Sequence, residues 1–340
     1  MAIKCNETEA SIIYSSPQCN LDPNCDPFAL AIVPATTVCN EDLENSVYVK
    51  GLYPPNYTPP EIEEEVAVAT NPNEISGIES WMATNKNIFI EKTTNNILTV
   101  SDTGKLIQYV KEKVGEGSRV WTLINKSAQW IPTSSPLAAS TINGYPVIMG
   151  TYFVSTGGLT REATNLLDYS NGFTFFIVMN NFQISNPGTL FGAFNPSTGK
   201  ANWRLKTSSS NFIILGDSGD IDFQLEIFPD GNVANGVSTP AKVITEARSS
   251  TTVYLLIARY NGKKAELWLD GGSPETVESE IYPEPLVNLS YATDYAGVSQ
   301  ASILTPEWIF YNRNLSDVEL NSIVLYLNEK YDVDFPEFTS

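Results

Sequence analysis

At 340 residues the chain is longer than a typical single domain, and its 42% hydrophobic, 11% aromatic and 17% charged composition points to an all-β fold with much of its surface in turns. A formal charge of −19 opposes DNA, RNA and anionic lipid as partners, because those polyanions are held by clustered Lys and Arg. No histidine occurs, which removes imidazole bases, histidine metal ligands and every triad built on them, and no apolar run is long enough for membrane insertion.

The first 52 residues hold all four cysteines, Cys5, Cys19, Cys25 and Cys39, without a sustained helical or strand period. Their spacings match no zinc pattern, so the segment holds either two disulfides or four reduced thiols. At Tyr53–Pro60 four prolines fall within seven residues, and the acidic run Glu61–Glu65 follows. Prolines stiffen the backbone and remove donors, and like charges repel, so 53–74 reads as an extended linker or arm. Residues 1–74 carry 12 acidic and 2 basic side chains, whereas 75–340 carry 27 and 18. Too small and Pro-rich to bury its own core, the 1–74 segment reads as an attachment arm. Its first 16 residues contain no apolar stretch suited to a signal peptide, which argues against a secreted protein.

From Ile75 onward, short apolar or alternating runs are punctuated by turn residues. Residues 102–114, with Leu106, Ile107, Val110 and Val114, have the spacing of a short helix. The runs 173–179, 212–215 and 253–260 predict strands. Asn261-Gly262 supplies the residues of a type I′ turn into Ala265–Leu269, closed by Asp270-Gly271. Near the C-terminus, Ser316 and Glu319 form a capping-box pair. Leu320, Ile323, Val324, Leu327 and Tyr331 then repeat at helical spacing, predicting one amphipathic helix docked on the sheets.

Between these elements lies the most polar candidate, Asp217 to Glu226. In a strand Asp220, Asp222, Gln224 and Glu226 share one face, either a ligand-binding surface or a solvated outer face. Asp217, Asp220 and Asp222 beside a glycine offer hard oxygen ligands to Ca²⁺, with a plain polar turn as the alternative. Trp203 is a candidate platform for a sugar ring, which has an apolar face as well as hydroxyls. No phosphate-binding glycine motif or Cys-x-x-Cys pair occurs.

Three stretches together resemble the concanavalin A-like lectin/glucanase sandwich, also called laminin-G-like, of bacterial and phage surface proteins. Trp308–Glu319 running on to Tyr331 is similar to that group's closing strand, Asn-Arg-x-Leu-Ser-Asp linker and terminal helix. Arg259–Gly271 is similar to its hairpin, and Gly77–Ala83 with Val120–Ser127 and Asn143–Ile148 to its opening strands. The resemblance implies a two-sheet antiparallel jelly-roll sandwich over 75–340 with a C-terminal helix, preceded by the N-terminal arm. Retaining glucanases of the group place acids in a Glu-x-Asp-x-x-Glu-like pattern. Asp220, Asp222 and Glu226 depart from that spacing, so no catalytic residue is assigned and the chain is expected not to be an enzyme.

Joined to the arm, the sandwich implies a virion structural protein: a head fibre, capsid decoration or tail-associated fibre. Residues 1–74 are expected to hold capsid or tail proteins or sister chains of a homo-oligomer, while the sandwich meets host-surface glycans. A glycoside hydrolase or a bacterial surface adhesin are the alternatives.

Overall fold

The computed structural model describes residues 4–6, 9–11, 67–84, 88–91, 94–98, 107–112, 119–124, 129–131, 142, 144–150, 158–162, 169–180, 188–195, 197–208, 221–229, 241–245, 253–281, 288–292 and 303–338. The chain divides into two compact units, Met1–Glu64 and Glu65–Ser340. In the first, β1 (Lys4–Asn6) and β2 (Glu9–Ser11) pair antiparallel, with Cys5 opposite Ala10. Cys19, Cys25 and Cys39, and with them the question of pairing, lie outside the described residues.

The second unit contains β3 (Ile78–Ala83), β4 (Ile88–Glu91), β5 (Ile107–Glu112), β6 (Arg119–Ile124), β7 (Gln129–Ile131), β8 (Val147–Gly150) and β9 (Gly158–Glu162). Then follow β10 (Phe173–Asn180), β11 (Thr189–Phe194), β12 (Ala201–Ser208), β13 (Ile221–Ile227), β14 (Ala241–Thr245), β15 (Val253–Tyr260) and β16 (Lys264–Leu269). The chain closes with β17 (Glu275–Glu278), β18 (Asn288–Tyr291), β19 (Ile303–Tyr311) and the helix α1 (Asp317–Tyr331). An eight-stranded sheet runs β17-β16-β15-β10-β19-β8-β7, with β3 also on β19. A nine-stranded sheet runs β14-β13-β12-β11-β18-β9-β6-β5-β4, and among the described strands the pairings in both sheets are antiparallel.

Side-chain alternation explains the layering. On β10, Phe173, Phe175, Ile177 and Met179 face Phe191, Trp203, Leu205 and Leu225 of the other sheet, while Phe176 and Val178 face the opposite way. There they join Leu255, Ile257, Trp268, Ile309 and the apolar face of α1: Leu320, Ile323, Val324, Leu327 and Tyr331. Strands buried on both faces read as continuous apolar runs, as 173–179 does. Burying those five helix side chains contributes roughly 8–15 kcal/mol before conformational entropy is subtracted. The predicted capping box is present: Ser316 Oγ accepts from Glu319 N–H at 3.3 Å, and Glu319 Oε2 accepts from Ser316 N–H at 2.9 Å. At the other end Asp332 takes the left-handed conformation, φ 49°, and stops the helix.

Two expectations about local structure are corrected. Residues 107–112 are a strand, because the register skips between Ile90 and Glu91, which oppose Tyr109 and Ile107. The extra residue, Gln108, turns Ile107 and Val110 to the same side, and both are fully buried. A β-bulge thus reproduces a three-residue spacing that mimics a helix. The β15–β16 hairpin forms as expected, but only Gly262 has positive φ (95°), whereas a type I′ turn needs it at both central residues. Asn261 Oδ1 instead accepts from the N–H groups of Lys263 and Lys264 and closes a longer loop. The expected strand at 212–215 lies outside the described residues.

The helix side of the sandwich extends toward the linker. Thr70 N–H donates to Ser322 O at 3.2 Å, and Tyr311 OH donates to Pro72 O at 2.9 Å.

Candidate functional site

With one outer face of the sandwich covered by α1, the other outer face, that of the nine-stranded sheet, is the surface on which polar side chains converge. On β12 and β13, Trp203, Leu205, Phe223, Leu225 and Ile227 point into the core, and Arg204, Lys206, Gln224 and Glu226 point away from it. Apolar-in and polar-out alternation of this kind marks a sheet whose second face carries no continuous apolar core.

Register lines the outer residues up across the sheet. Glu226 pairs with Arg204, Arg204 with Gly192, Gly192 with Ser290, Ser290 with Thr160 and Thr160 with Thr122. Adjacent strands are about 4.8 Å apart, so the row spans roughly 24 Å. At one end Thr122 is exposed and Thr160 half-buried, its hydroxyl donating to Leu289 O at 3.1 Å. In the middle Ser290 is 1% exposed, and its Oγ has no hydrogen-bond partner among the described residues. At the other end Glu226, itself buried, accepts from Arg204 Nε on Oε2 and from Lys206 Nζ on Oε1, the latter at 2.6 Å.

Glycine at 192 is a steric requirement. A Cβ there would lie 2.5 Å from Phe194 Cε2 and 3.0 Å from Arg204 Cβ, because the Phe194 ring lies against it. Phe194, Ala201 and Phe228 form a small apolar cluster, and the Arg204 guanidinium sits 5.6 Å from the Phe228 ring centroid. The long cation is therefore held between an aromatic ring and a carboxylate, which fixes its position.

The sequence-predicted residues are only partly brought together. Trp203 is withdrawn as a sugar platform: it is fully buried between the sheets and stacked on Phe173 with ring centroids 4.4 Å apart, so exposing it would open the core. Gln224 is half-buried between Lys206 and Lys242 in register. Glu226 is no free acid but the shared acceptor of two cations. Asp222 lies on β13 opposite Ser208 and Ile244, and Asp217 and Asp220 fall outside the described residues, as does the Ca²⁺ site that rests on them. Among the described residues no group of three or more His, Cys, Asp or Glu could hold a metal. Asp222 and Glu226 are four residues apart on one strand, about 13 Å, beyond the roughly 5–9.5 Å that separates paired glycosidase carboxyls.

Sequence reasoning missed Arg204, Lys206, Gly192 and Ser290. The alternation Asn202-Trp203-Arg204-Leu205-Lys206 was the readable signal for the first two. Nothing local distinguishes Ser290, whose place depends on three strands remote in sequence.

Two further ionic clusters are interior. Glu112 accepts from Ser80 Oγ, Trp121 Nε1 (2.6 Å) and Arg161 Nη1 (3.1 Å), and Arg161 also pairs with Glu79. Beneath α1, Glu307 accepts from Trp81 Nε1, Tyr326 OH, Tyr331 OH and Lys330 Nζ. Glu112 and Glu307 are both almost wholly enclosed and surrounded by donors, an arrangement that locks packing.

No family model and no curated protein matches the chain. Solved structures do resemble it. An arabinofuranosidase complexed with arabinofuranosyl-α-1,2-xylobiose is 12% identical over 80% of this chain and 68% of its own, with a TM-score of 0.50. A GH54 α-L-arabinofuranosidase soaked with a cyclic sulfate inhibitor is 13% identical over 73% and 60%, TM-score 0.47. The binding domain of botulinum neurotoxin DC is 8% identical over 73% of this chain, TM-score 0.39, and this chain spans about half of its length, 52%. At these identities the likeness concerns the fold, a two-sheet β-sandwich. It corrects one expectation: the architecture occurs in an arabinofuranosidase, so the statement that this chain is not an enzyme does not stand.

Proposed function

We propose that this chain is a glycan-recognising β-sandwich of the concanavalin A-like type, and that the outer face of its nine-stranded sheet is the recognition surface. The observation that carries the reading is the row Thr122–Thr160–Ser290–Gly192–Arg204–Glu226, with a buried Ser290 hydroxyl that has no hydrogen-bond partner among the described residues. A buried polar group without a partner costs about 1–3 kcal/mol, a cost that a ligand hydroxyl would recover. Hydroxyls and a guanidinium on one rigid sheet are the complement of a sugar, which offers hydroxyls to both. The solved structures of related fold include an arabinofuranosidase holding an arabinofuranosyl-xylobiose, which supports the same reading.

We further propose that the protein is a virion structural component, in which residues 1–74 attach to capsid or tail proteins or to sister chains and the sandwich is turned toward host-surface glycans. The acidic, Pro-rich composition of 1–74 and the separation of Met1–Glu64 from Glu65–Ser340 as compact units support the division of labour.

A glycan array followed by calorimetric titration of the full chain tests recognition, with reducing-sugar release measured on every binder to register turnover. Ser290→Ala is expected to weaken the best binder about tenfold while leaving the unfolding midpoint equal or slightly higher. Unchanged affinity in that variant, or no binder on the array, overturns the proposal. Deleting residues 1–60 is expected to abolish association with particles; retained association refutes the attachment role.

A further inference from the structure

We infer that the recognition face selects a glycan carrying a carboxylate, one uronic- or sialic-acid-type residue per site, with Arg204 as its anchor. The inference rests on the glycan-binding reading of this face and names the substrate class within it. On β12 and β13 the described side chains comprise two cations, Arg204 and Lys206, and one anion, Glu226, so the cluster carries net +1 in a protein of formal charge −19. Register adds Lys242 on β14 and Asp222 on β13, which balance each other in charge.

The anion is spent. Glu226 is 2% exposed and uses one carboxylate oxygen for Arg204 and the other for Lys206. Arg204 is not spent: only its Nε is engaged, and neither Nη1 nor Nη2 donates to any described residue, while its side chain keeps 15% of its surface. A guanidinium held from behind by Glu226 and against the ring of Phe228 presents its two outer nitrogens as a fork, the geometry that a planar carboxylate accepts bidentately. On the other side of Gly192, about 10 Å from Arg204 across two strand spacings, Ser290 Oγ stands in the same row without a hydrogen-bond partner among the described residues, a second donor roughly two sugar rings from the first.

The protein's overall negative charge limits what can approach. A long polyanion is repelled along its length, whereas a single terminal acid meets the local +1 within a screening distance of about 8–10 Å at physiological salt. One acidic residue at a chain end fits both facts.

The test uses the full-length protein and two probes that differ only in charge: an oligosaccharide ending in one uronic acid, and its methyl ester. The acid is expected to bind roughly 10- to 100-fold more tightly than the ester. Arg204→Gln should remove most of the preference for the acid, lowering its affinity at least tenfold and that of the ester less, with Arg204→Lys in between because it keeps the charge and loses the fork. If Arg204→Gln fails to fold, Lys206→Gln serves, with a loss of at least threefold for the acid alone. Equal binding of acid and ester by the unaltered protein overturns the inference and leaves glycan recognition standing. Failure of both probes, together with a blank array, overturns the recognition reading itself. A preference for the acid that survives Arg204→Gln and Lys206→Gln places the selectivity elsewhere and overturns the assignment.

Discussion

Replacing Glu307 by Gln removes a charge from beneath α1 while keeping its shape. Glu307 is fully enclosed on β19 and accepts from Trp81 Nε1 at 2.5 Å, Lys330 Nζ at 2.6 Å, Tyr331 OH at 2.7 Å and Tyr326 OH at 3.1 Å. A glutamine has one acceptor oxygen for those four donors and adds two donors of its own. The Lys330 side chain, 8% exposed and surrounded by the rings of Tyr145, Tyr326 and Tyr331, loses the charge of Glu307. Removing one partner of a buried pair costs about 3–5 kcal/mol, and that is the expected loss for Glu307→Gln. Lys330→Met alone is expected to cost less, because Glu307 keeps three neutral donors. In the double variant the two losses should fall short of their sum by about 0.5–3 kcal/mol. Urea unfolding followed by tryptophan fluorescence reads all three variants, with the slope of the transition unchanged if the unfolded state is unaffected. A loss below about 1 kcal/mol for Glu307→Gln, or losses additive within about 0.5 kcal/mol, refutes the claim that this network fastens the helix to the sheet.

Three further outcomes follow from particular contacts. Trp203→Ala should cost about 3–5 kcal/mol in urea unfolding, because the ring is fully buried against Phe173; a fold unharmed by that change contradicts its core position. Gly172→Ala should destabilise by about 3 kcal/mol or more, since φ is +74° and the new Cβ would stand 1.9 Å from Tyr260 O, and an unshifted unfolding midpoint contradicts it. The Arg313 hydrogen bond, with lesser help from Ser316, holds the Glu319 carboxyl down at about 2 from its ordinary 4.5. A lowered folded-state value gives stability that is present above about pH 4.5 and lost as pH falls toward about 2, so unfolding midpoints should decline through that window, and Arg313→Met should flatten the decline.

Much of the fold was legible because local signals and tertiary burial agree. The capping box at Ser316, the five apolar positions of α1 and the β15–β16 hairpin all stand where sequence reasoning puts them. The strand at 107–112 was misread because a bulge breaks the two-residue period, and a single displaced residue is invisible in spacing alone. At the site, β13 was found but its chemistry was not. Alternation placed Gln224 and Glu226 outward, yet only the register with β12 shows that Glu226 is neutralised by Arg204 and Lys206. Trp203 was misassigned for a related reason: in an alternating strand either parity can face the core, and the choice is settled by Phe173, thirty residues away.

The asymmetry of the two outer faces accounts for where the proposed recognition is placed. A sheet in the middle of three layers must be apolar on both sides, and β10, β15 and β19 are, so the surface under α1 has no room for polar specificity. The nine-stranded sheet carries the inter-sheet core on one side, and its other side carries Thr122, Thr160, Ser290 and Arg204, of which Thr122 is exposed and Ser290 enclosed. Rigidity comes with the position: neighbouring strands are hydrogen-bonded across the whole row, so the side chains above it keep their spacing when a ligand arrives. The buried carboxylates divide along the same line. Glu112 and Glu307 lie within closed packing and answer to donors on every side. Glu226 sits on the outer face of the nine-stranded sheet, where it engages Arg204 through Nε alone. The same residue type therefore fastens layers in the interior and, on this face, holds two cations side by side.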